Sequence, residues 1–533
     1  MDEHTVEPSK DESDDVTDLD NAFEYITGWR LHFITTGLGL CLFLVNFEIT
    51  IVSTALVSIT NDLRDFSRNG WVINAYLLTY TGGLVVWSKL SDIFGRKGTC
   101  LASLFVFTAF SGACGGAQTL VQLIVFRAFQ GIGASGLYAL TTVIFYELVP
   151  PNKYPAYTSL IMVLFSTSLV LGPIFGGLIS QQSTWRWVFL LNVPAGVAAW
   201  VVLFVTLPKE FPYQGSGSHP KQHRSFRTID FLGAFLMVAA IALLITGLEE
   251  AASLLSWTSP TTLGPLAASA VVWVAFFTSQ WYSSRPFSTT EPMFPWRFLQ
   301  SRTITALLLN SFTTGAVSIT CMIQLPIRYQ AAAALSPLQA GIRLIPFSVA
   351  SPIGVIIVAI LAKNRRVPPI YLALAGEIIQ ILGLVFISRS PLDNLDWDGL
   401  YGLEVLIGLG MGFCIGTGTL LTPFIMEKRD LAVGTGTVVQ YRFLGSTVVI
   451  SIVTAVGNNW IKEMLLDKLT SLQLTSVFRS TEYIGFLPDN LEHTVRRTFA
   501  AAFNLQMEIL IGFAVAAIFS SLLMWQKTQI RVP

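Results

Sequence analysis

The sequence predicts an all-α polytopic membrane protein with fourteen transmembrane helices, and three observations carry that prediction. Of its 533 residues, 52% are hydrophobic and only 12% are charged, against roughly 25% charged in a soluble domain. Apolar runs of about 20 residues, the length a helix needs to cross a bilayer, recur along almost the whole chain. The basic residues gather in short connections between those runs, on alternate sides. Formal net charge is zero, so nothing in the charge balance implies a nucleic-acid or acidic partner.

The runs place spans at 31–57, 70–89, 98–117, 120–145, 156–180, 187–207, 229–248, 261–281, 303–327, 338–361, 369–388, 402–425, 432–456 and 507–526. An even count puts both ends of the chain on one side. One set of alternate loops holds Lys89, Arg96, Lys97, Lys153, Lys209, Lys221, Arg224, Arg227, Arg285, Arg297, Arg302, Lys363, Arg365, Arg366, Lys428 and Arg429, whereas the short loops of the other set hold chiefly Arg64, Arg68, Arg186, Arg328 and Arg389. The first set is therefore expected to be cytoplasmic.

The expected organisation follows. Residues 1–30 form a disordered, acidic cytoplasmic tail without the basic and apolar blocks of a cleaved signal peptide. Residues 31–207 make a six-span bundle, and 208–302 a Gly- and Ser-containing linker with two additional spans. Residues 303–526 make a second six-span bundle with a long non-cytoplasmic loop at 457–503, and 527–533 a cytoplasmic tail. The five cysteines, Cys41, Cys100, Cys114, Cys321 and Cys414, all fall in apolar runs, which suits packing better than a disulfide framework.

The connection between spans 2 and 3 reads Lys89-Leu90-Ser91-Asp92-Ile93-Phe94-Gly95-Arg96-Lys97. Gly95 permits a tight turn, Asp92 suits a helix end, and Arg96 can reach a neighbouring helix. This stretch resembles the G-x-L-(A/S)-D-x-x-G-R-(K/R) loop of the major facilitator superfamily, with Ser88 in place of the first glycine and Ile93 where a base is common. In span 4, Arg127-Ala128-Phe129-Gln130-Gly131-Ile132-Gly133 is similar to the family's R-x-x-Q-G-x-G motif. In span 5, Gly172-Pro173-Ile174-Phe175-Gly176-Gly177 is similar to the G-P-x-x-G-G motif of its antiporter branches, with Ser159 and Ser168 replacing two upstream glycines. Trp185-Arg186-Trp187-Val188-Phe189-Leu190-Leu191-Asn192-Val193-Pro194-Ala195-Gly196 resembles the W-R-W-x-F-x-x-N-x-P-x-G signature of fourteen-span drug:proton antiporters. With Glu48-Ile49-Thr50-Ile51-Val52-Ser53-Thr54-Ala55-Leu56 in span 1, it points to fungal multidrug and toxin efflux carriers. The resemblance covers residues 30–456 and implies a major facilitator fold, two six-helix bundles plus two extra spans.

Glu48 lies ~14 Å and Arg127 ~11 Å below the same outer face, counting 1.5 Å per helical residue. A bare charge at such depth costs at least ~2.5–3.5 kcal/mol, so a partner or a watered cavity is expected. On the functional reading Glu48 carries a proton and Arg127 governs its release as the bundles rock, because a nearby cation favours the carboxylate and a dry pocket favours the acid. The competing reading is a static ion pair. Asp92, Gly95, Arg96 and Lys97 are expected to act as a cytoplasmic latch that biases the bundles toward the outward-open state. Gly131, Gly172, Pro173, Gly176 and Gly177 are expected in helix packing and gating.

Among other polar residues at span depth, Asn74, Gln130, Asn310, Gln324, Gln440 and Arg442 are substrate-cavity candidates, since buried amides and charges seek partners. Arg442 divides evenly between function and structure. Glu377 and Arg343 read as second-half polar contacts or as groups satisfied within the bundle, and Glu249, Glu250 and Glu404 as span-end residues reached by interfacial water. Trp71, Tyr76, Tyr80 and Phe129 are read chiefly as ordinary membrane-protein aromatics.

No G-x-x-x-x-G-K-(S/T), H-E-x-x-H or G-x-S-x-G pattern occurs, which argues against direct ATP use and against those enzyme classes. Neither a cofactor nor a metal site is expected. The leading expectation is a monomeric, proton-coupled secondary exporter of amphiphilic small molecules, multi-pass in the plasma membrane, with the vacuolar membrane as the alternative. Its partners are then the cargo, protons and the lipid bilayer. Uptake of a nutrient or ferric siderophore by a related carrier, and a transport-dead membrane sensor or scaffold, are the alternative expectations.

Overall fold

The computed structural model describes residues 25–150, 153–209, 211, 230–252, 258–285, 290, 292–426 and 431–530. The acidic amino-terminal stretch through residue 24, the linker at 212–229 and the side chain of Asp92 lie outside the described residues. Secondary structure among the described residues is entirely helical, as a bilayer demands of a chain that must satisfy every backbone group locally.

The first bundle contains α1 (Trp29–Asp62), α2 (Asn69–Phe94), α3 (Arg96–Gly115), α4 (Leu120–Glu147), α5 (Tyr154–Gln182) and a broken span of α6 (Arg186–Leu190) and α7 (Asn192–Thr206). Two further helices follow, α8 (Phe231–Ala252) and α9 (Pro260–Ser283). A short α10 (Arg297–Gln300) leads into α11 (Arg302–Ile327), which runs on through a π turn at Arg328–Ala332. The second bundle continues with α12 (Pro337–Arg343), α13 (Ile345–Asn364), α14 (Pro369–Ile387), α15 (Gly399–Ile425), α16 (Leu431–Leu465), the short α17 (Ser471–Arg479) and α18 (Asp489–Leu523).

Thirteen spans among the described residues are long and apolar enough to cross a membrane. The 26-residue α2 is also long enough and completes the expected fourteen; Asn74 and several Thr, Tyr and Gly residues make it more polar than the others. The apolar runs set where helices form, and polar caps set where they begin. Thr119 caps α4 and Ser301 caps α11 through their side chains, and Ser336 and Gln339 form a capping box on α12, each satisfying amides that the first turn leaves free.

Packing separates central from peripheral helices. The most apolar stretch of α1 is 89% buried and that of α11 83%, whereas the corresponding stretch of α9 is 17% buried. Thus α1 and α11 form the centre, and α9 faces outward against α8 alone among its major contacts. The helix α8 packs on α2 and α16.

The bundles meet chiefly through α2 with α16 and α5 with α12 and α13. With the face of Gly95 taken as inner, as the basic residues predict, the hydrogen bonds that join the bundles cluster in the outer half or midway along the spans. Gln330 donates to the Thr54 carbonyl at 3.0 Å, the Thr481 amide to Asn61 Oδ1 at 3.0 Å, and Gln440 to the Thr81 carbonyl at 2.9 Å. These contacts close the outer side.

Residues 457–503, expected as a loop, are largely helical. Two 35-residue helices, α16 and α18, are each about 50 Å long at 1.5 Å per residue and overrun the ~30 Å hydrocarbon layer. Between them α17 and a 3-10 turn at Thr481–Phe486 bury Val477, Phe478 and Ile484 against Val57 and Phe66 of the first bundle. Burial of these side chains turns the segment into an apolar cap over the outer face.

Candidate functional site

A buried polar network occupies the interior of the first bundle. Glu48 is 0% and Arg127 1% exposed, and Arg127 Nη1 donates to Glu48 Oε1. The other carboxylate oxygen, Oε2, accepts from the Asn192 amide at the start of α7. Arg127 Nη1 also donates to Gln130 Oε1 at 2.8 Å, and its Nε to the Val72 carbonyl of α2 at 3.1 Å. Gln130 in turn donates to Ser111 Oγ of α3 at 2.6 Å. The guanidinium carbon lies 4.3 Å from the Tyr76 ring centre and 5.6 Å from that of Phe189, within cation–π range.

Five spans, α1 to α4 and the broken α6–α7, therefore contribute to one network, in which Arg127 and Asn192 bond the carboxylate itself. The geometry suits a group that can exist either as an ion, paired with Arg127, or as an acid, hydrogen-bonded within the same pocket. Removing one member of such a pair costs about 3–5 kcal/mol, because the other charge is left buried and uncompensated.

The remaining candidates named from the sequence separate by location. Gln130 belongs to the Arg127 network. Asn74 donates to Glu249 Oε1 at 2.6 Å and to Ser451 Oγ at 2.9 Å, linking α2, α8 and α16. Asn310 is buried within the second bundle, donating to Glu377 Oε1 at 2.7 Å and to Ser521 Oγ at 3.0 Å. Gln440 bridges to Thr81, and Gln324 lines a small cavity, with room for only a few water-sized groups, near the outer face. Half-buried Arg442 lies where α16 crosses α11, and its carbonyl stands so close to Gly315 that a side chain there would collide with it.

Two readings are corrected. Glu249 and Glu404 are not bathed by interfacial water: they are 1% and 0% exposed. Glu404 Oε1 accepts from Tyr329 Oη at 2.5 Å. Arg343 pairs with Asp396, and Glu377 is satisfied at Oε1 within its bundle.

At the loop between α2 and α3, Gly95 adopts φ +85°, a conformation that side chains other than glycine resist. Arg96 donates from Nη2 to Glu147 Oε1 at 2.7 Å, from Nε to Oε2 at 3.0 Å, and from Nη1 to Ser91 Oγ at 2.5 Å. Arg96 thus ties the start of α3 to the end of α4. Lys97 donates to the carbonyls of Phe204 and Leu207 at 2.6 Å each, a cation at the carboxyl end of α7.

The glycine-rich motif of α5 has two roles. Gly172 and Gly176 stand against Thr50 and Ile51 of α1, and Gly131 against Tyr76 and Thr79 of α2, so each seats helices within the first bundle. Gly177 instead faces the Pro337 carbonyl across the bundle interface, and Gly341 faces the carbonyl of Pro173. Pro173 lies inside α5, and its carbonyl also accepts from Thr54 Oγ1 at 3.2 Å.

Asn192 falls within a sequence motif that does not mark it as the partner of Glu48, and the sequence likewise does not mark Ser111, Glu249 and Glu404 as parts of buried networks or Arg328 as a buried cation. Nothing in their spacing distinguishes these residues. An Asn or Glu near a predicted span end reads equally as interfacial until the helix ends are known.

Two helical bundles that enclose buried charges and meet along a limited interface are the architecture on which many secondary membrane transporters are built. The family model described as Major Facilitator Superfamily matches residues 38–449, and the chain belongs to that family. It is 39% identical over 512 residues to the MFS-type transporter FPY5 of Fusarium mangiferae, covering 96% of this chain and 86% of the relative. It is 28% identical over 447 residues to the MFS-type efflux pump LUC4 of a Fusarium species, covering 83% of this chain and 77% of the relative. The fold is similar to that of a bacterial homologue of the human lysosomal transporter Spinster in an inward-facing, unoccupied conformation, with TM-score 0.67, 13% identity and coverage of 94% of this chain and 100% of that one.

Proposed function

We propose that the protein is a proton-coupled secondary exporter of amphiphilic small molecules, an antiporter of the fourteen-span drug and toxin efflux branch working in the plasma membrane. The observation that carries this reading is the enclosed Glu48–Arg127 pair with Asn192 on the second carboxylate oxygen. Protonation of Glu48 would free Arg127 for its other acceptors, Gln130 and the Val72 carbonyl, and so change how α1 and α4 hold each other. Proton entry would supply about 2.3 kcal/mol per charge per 100 mV, in addition to the pH gradient.

The efflux name of a relative supports export over uptake. On this reading the Gly95 loop is a conformational latch in which Arg96 works through Glu147, and Arg96→Gln would alter the accessibility of single cysteines at the inner mouth. The test of the function itself is accumulation of cationic, neutral and anionic fluorescent amphiphiles in energised vesicles. Export that collapses on addition of a protonophore is expected; export unaffected by the protonophore, or accumulation in the uptake direction, would overturn the proposal.

A further inference from the structure

Glu249 stands near the outer end of α8, where α8 touches both bundles, and is 1% exposed. Its Oε1 accepts from Asn74 Nδ2 of α2 at 2.6 Å and from Ser451 Oγ of α16 at 3.0 Å, while Asn74 Nδ2 also donates to Ser451 Oγ at 2.9 Å. Both hydrogens of the Asn74 amide are thereby used. Two buried oxygens of the same cluster, Glu249 Oε2 and Asn74 Oδ1, have no hydrogen-bond partner. Both are acceptors, so neither can satisfy the other while Glu249 is ionised.

No cation among the described residues pairs with Glu249. Beside it, α8 adds only a second acid, Glu250. The turn before α2 carries Asp65 and Arg68, which face each other at 3.9 Å, and the outer half of α2 carries Tyr76 and Tyr80 as its titratable groups. Arg442 and Lys462 of α16 lie roughly 15 Å from Ser451 along the helix, one to either side, at 1.5 Å per residue, and α9 has no charged residue. The carboxyl rests on the backbone of α2, since a side-chain carbon at Gly70 would stand 2.7 Å from Oε1 and 2.8 Å from Oε2. No amide of that turn donates to it.

We propose that Glu249 and Asn74 form a proton-binding site at the seam of the two bundles, filled while the outer side is closed and emptied when it opens. In the closed state the proton sits on Glu249 Oε2 and is donated to Asn74 Oδ1, completing the paired hydrogen bonds of a carboxylic acid with a primary amide. The neutral acid escapes the cost of a buried charge without a counter-ion, and both orphaned oxygens are satisfied at once. Turning the Asn74 amide over sets its oxygen against Oε1, where the same proton is then needed. A metal cation requires more oxygen ligands than these two. When α16 withdraws from α2 and α8, water of the outer mouth takes the proton as hydronium and hydrates the carboxylate; closure reverses both steps. The bonds from Asn459 to the Ala251 carbonyl at 2.9 Å and from Asn458 to the Ser67 carbonyl at 3.4 Å part along the same seam. The proton returns to the water it came from, so the site governs a conformation and is independent of the cargo and of Glu48. Because closure takes up a proton, acid on the outer side favours the closed state and alkali the open one.

The test is infrared spectroscopy of the purified full chain in nanodiscs at neutral pH, without cargo or gradient. Asn61→Cys and Thr481→Cys, joined by a short bifunctional reagent, hold the outer contact closed so that the spectrum belongs to one state. Subtracting the spectrum of the Glu249→Gln variant should leave the C=O band of one protonated carboxylic acid. Carboxylate bands in that difference, with or without dependence on added sodium, would overturn the proposal. Glu249→Gln places an N–H where the acid has its O–H and is expected to fold. Should it not, Asn74→Ala decides the matter: loss of the amide donor to Oε1 should move one acid band to higher frequency, and unmoved acid bands would overturn the site. Spin labels at Ser183 and Glu482, exposed residues on the outer ends of the two bundles, report the conformation of the unlocked protein. Their separation should lengthen from acid to alkaline pH in the unmodified protein and stay short in Glu249→Gln. An identical pH response in the two would overturn the link between the proton and closure. None of these readings depends on export, so loss of proton-driven transport in the vesicle assay would leave them intact.

Discussion

Asn192 and Arg127 divide the two oxygens of Glu48 between them, the amide on Oε2 and the guanidinium on Oε1. The carboxylate is thereby held from α7 as well as from α4. Asn192→Leu leaves Oε2 buried without a donor and is expected to destabilise the protein by about 1–3 kcal/mol. Thermal unfolding in detergent measures it; an unchanged melting temperature would show that the bond carries no weight.

Arg127→Gln leaves a carboxylate enclosed without its cation, and a loss of about 3–5 kcal/mol is expected. The double variant Glu48→Gln with Arg127→Gln removes both charges and should recover part of that loss. A double-mutant cycle on unfolding free energy measures the coupling, and strict additivity would contradict a direct pairing.

Glu249 ties three helices, two of them from different bundles, through Asn74 and Ser451. Glu249→Leu should lower stability by about 1–3 kcal/mol because two buried polar groups lose an acceptor. Glu249→Gln retains an acceptor oxygen and should lose less. Equal losses for the two variants, read by thermal unfolding, would refute a hydrogen-bonding role.

The backbones of α5 and α12 approach so closely that a methyl group at Gly341 runs into the Pro173 carbonyl and one at Gly177 into that of Pro337. Gly341→Ala is therefore expected to wedge the outer contact open. A single cysteine at Thr481, which bonds Asn61 across the interface, should then react severalfold faster with a membrane-impermeant maleimide. Unaltered labelling would mean that the contact does not govern closure.

Much of this architecture is written in the sequence, because length and apolarity alone determine a bilayer crossing. The depth of Glu48 and Arg127 demanded partners, and the structure joins them to each other. Their further partners were hidden, since Asn192 is one polar residue in an apolar stretch and its direction depends on the break between α6 and α7. Glu249 looked interfacial because the run of apolar residues ends near it, yet α8 continues to Ala252 and α16 covers the carboxylate. Helices α16 and α18 overrun the membrane on polar and charged residues that hydropathy reads as loop. Arg328 counted only as one base in an outer loop until the π turn placed it inside.

The most direct test of the central claim compares the unmodified protein with Glu48→Gln in proteoliposomes under an imposed pH gradient, using the amphiphile transported best by the unmodified protein. Glu48→Gln is expected to abolish gradient-driven accumulation while retaining gradient-free exchange of the same compound. Gradient-driven accumulation at the unmodified rate in Glu48→Gln would show that another group carries the proton.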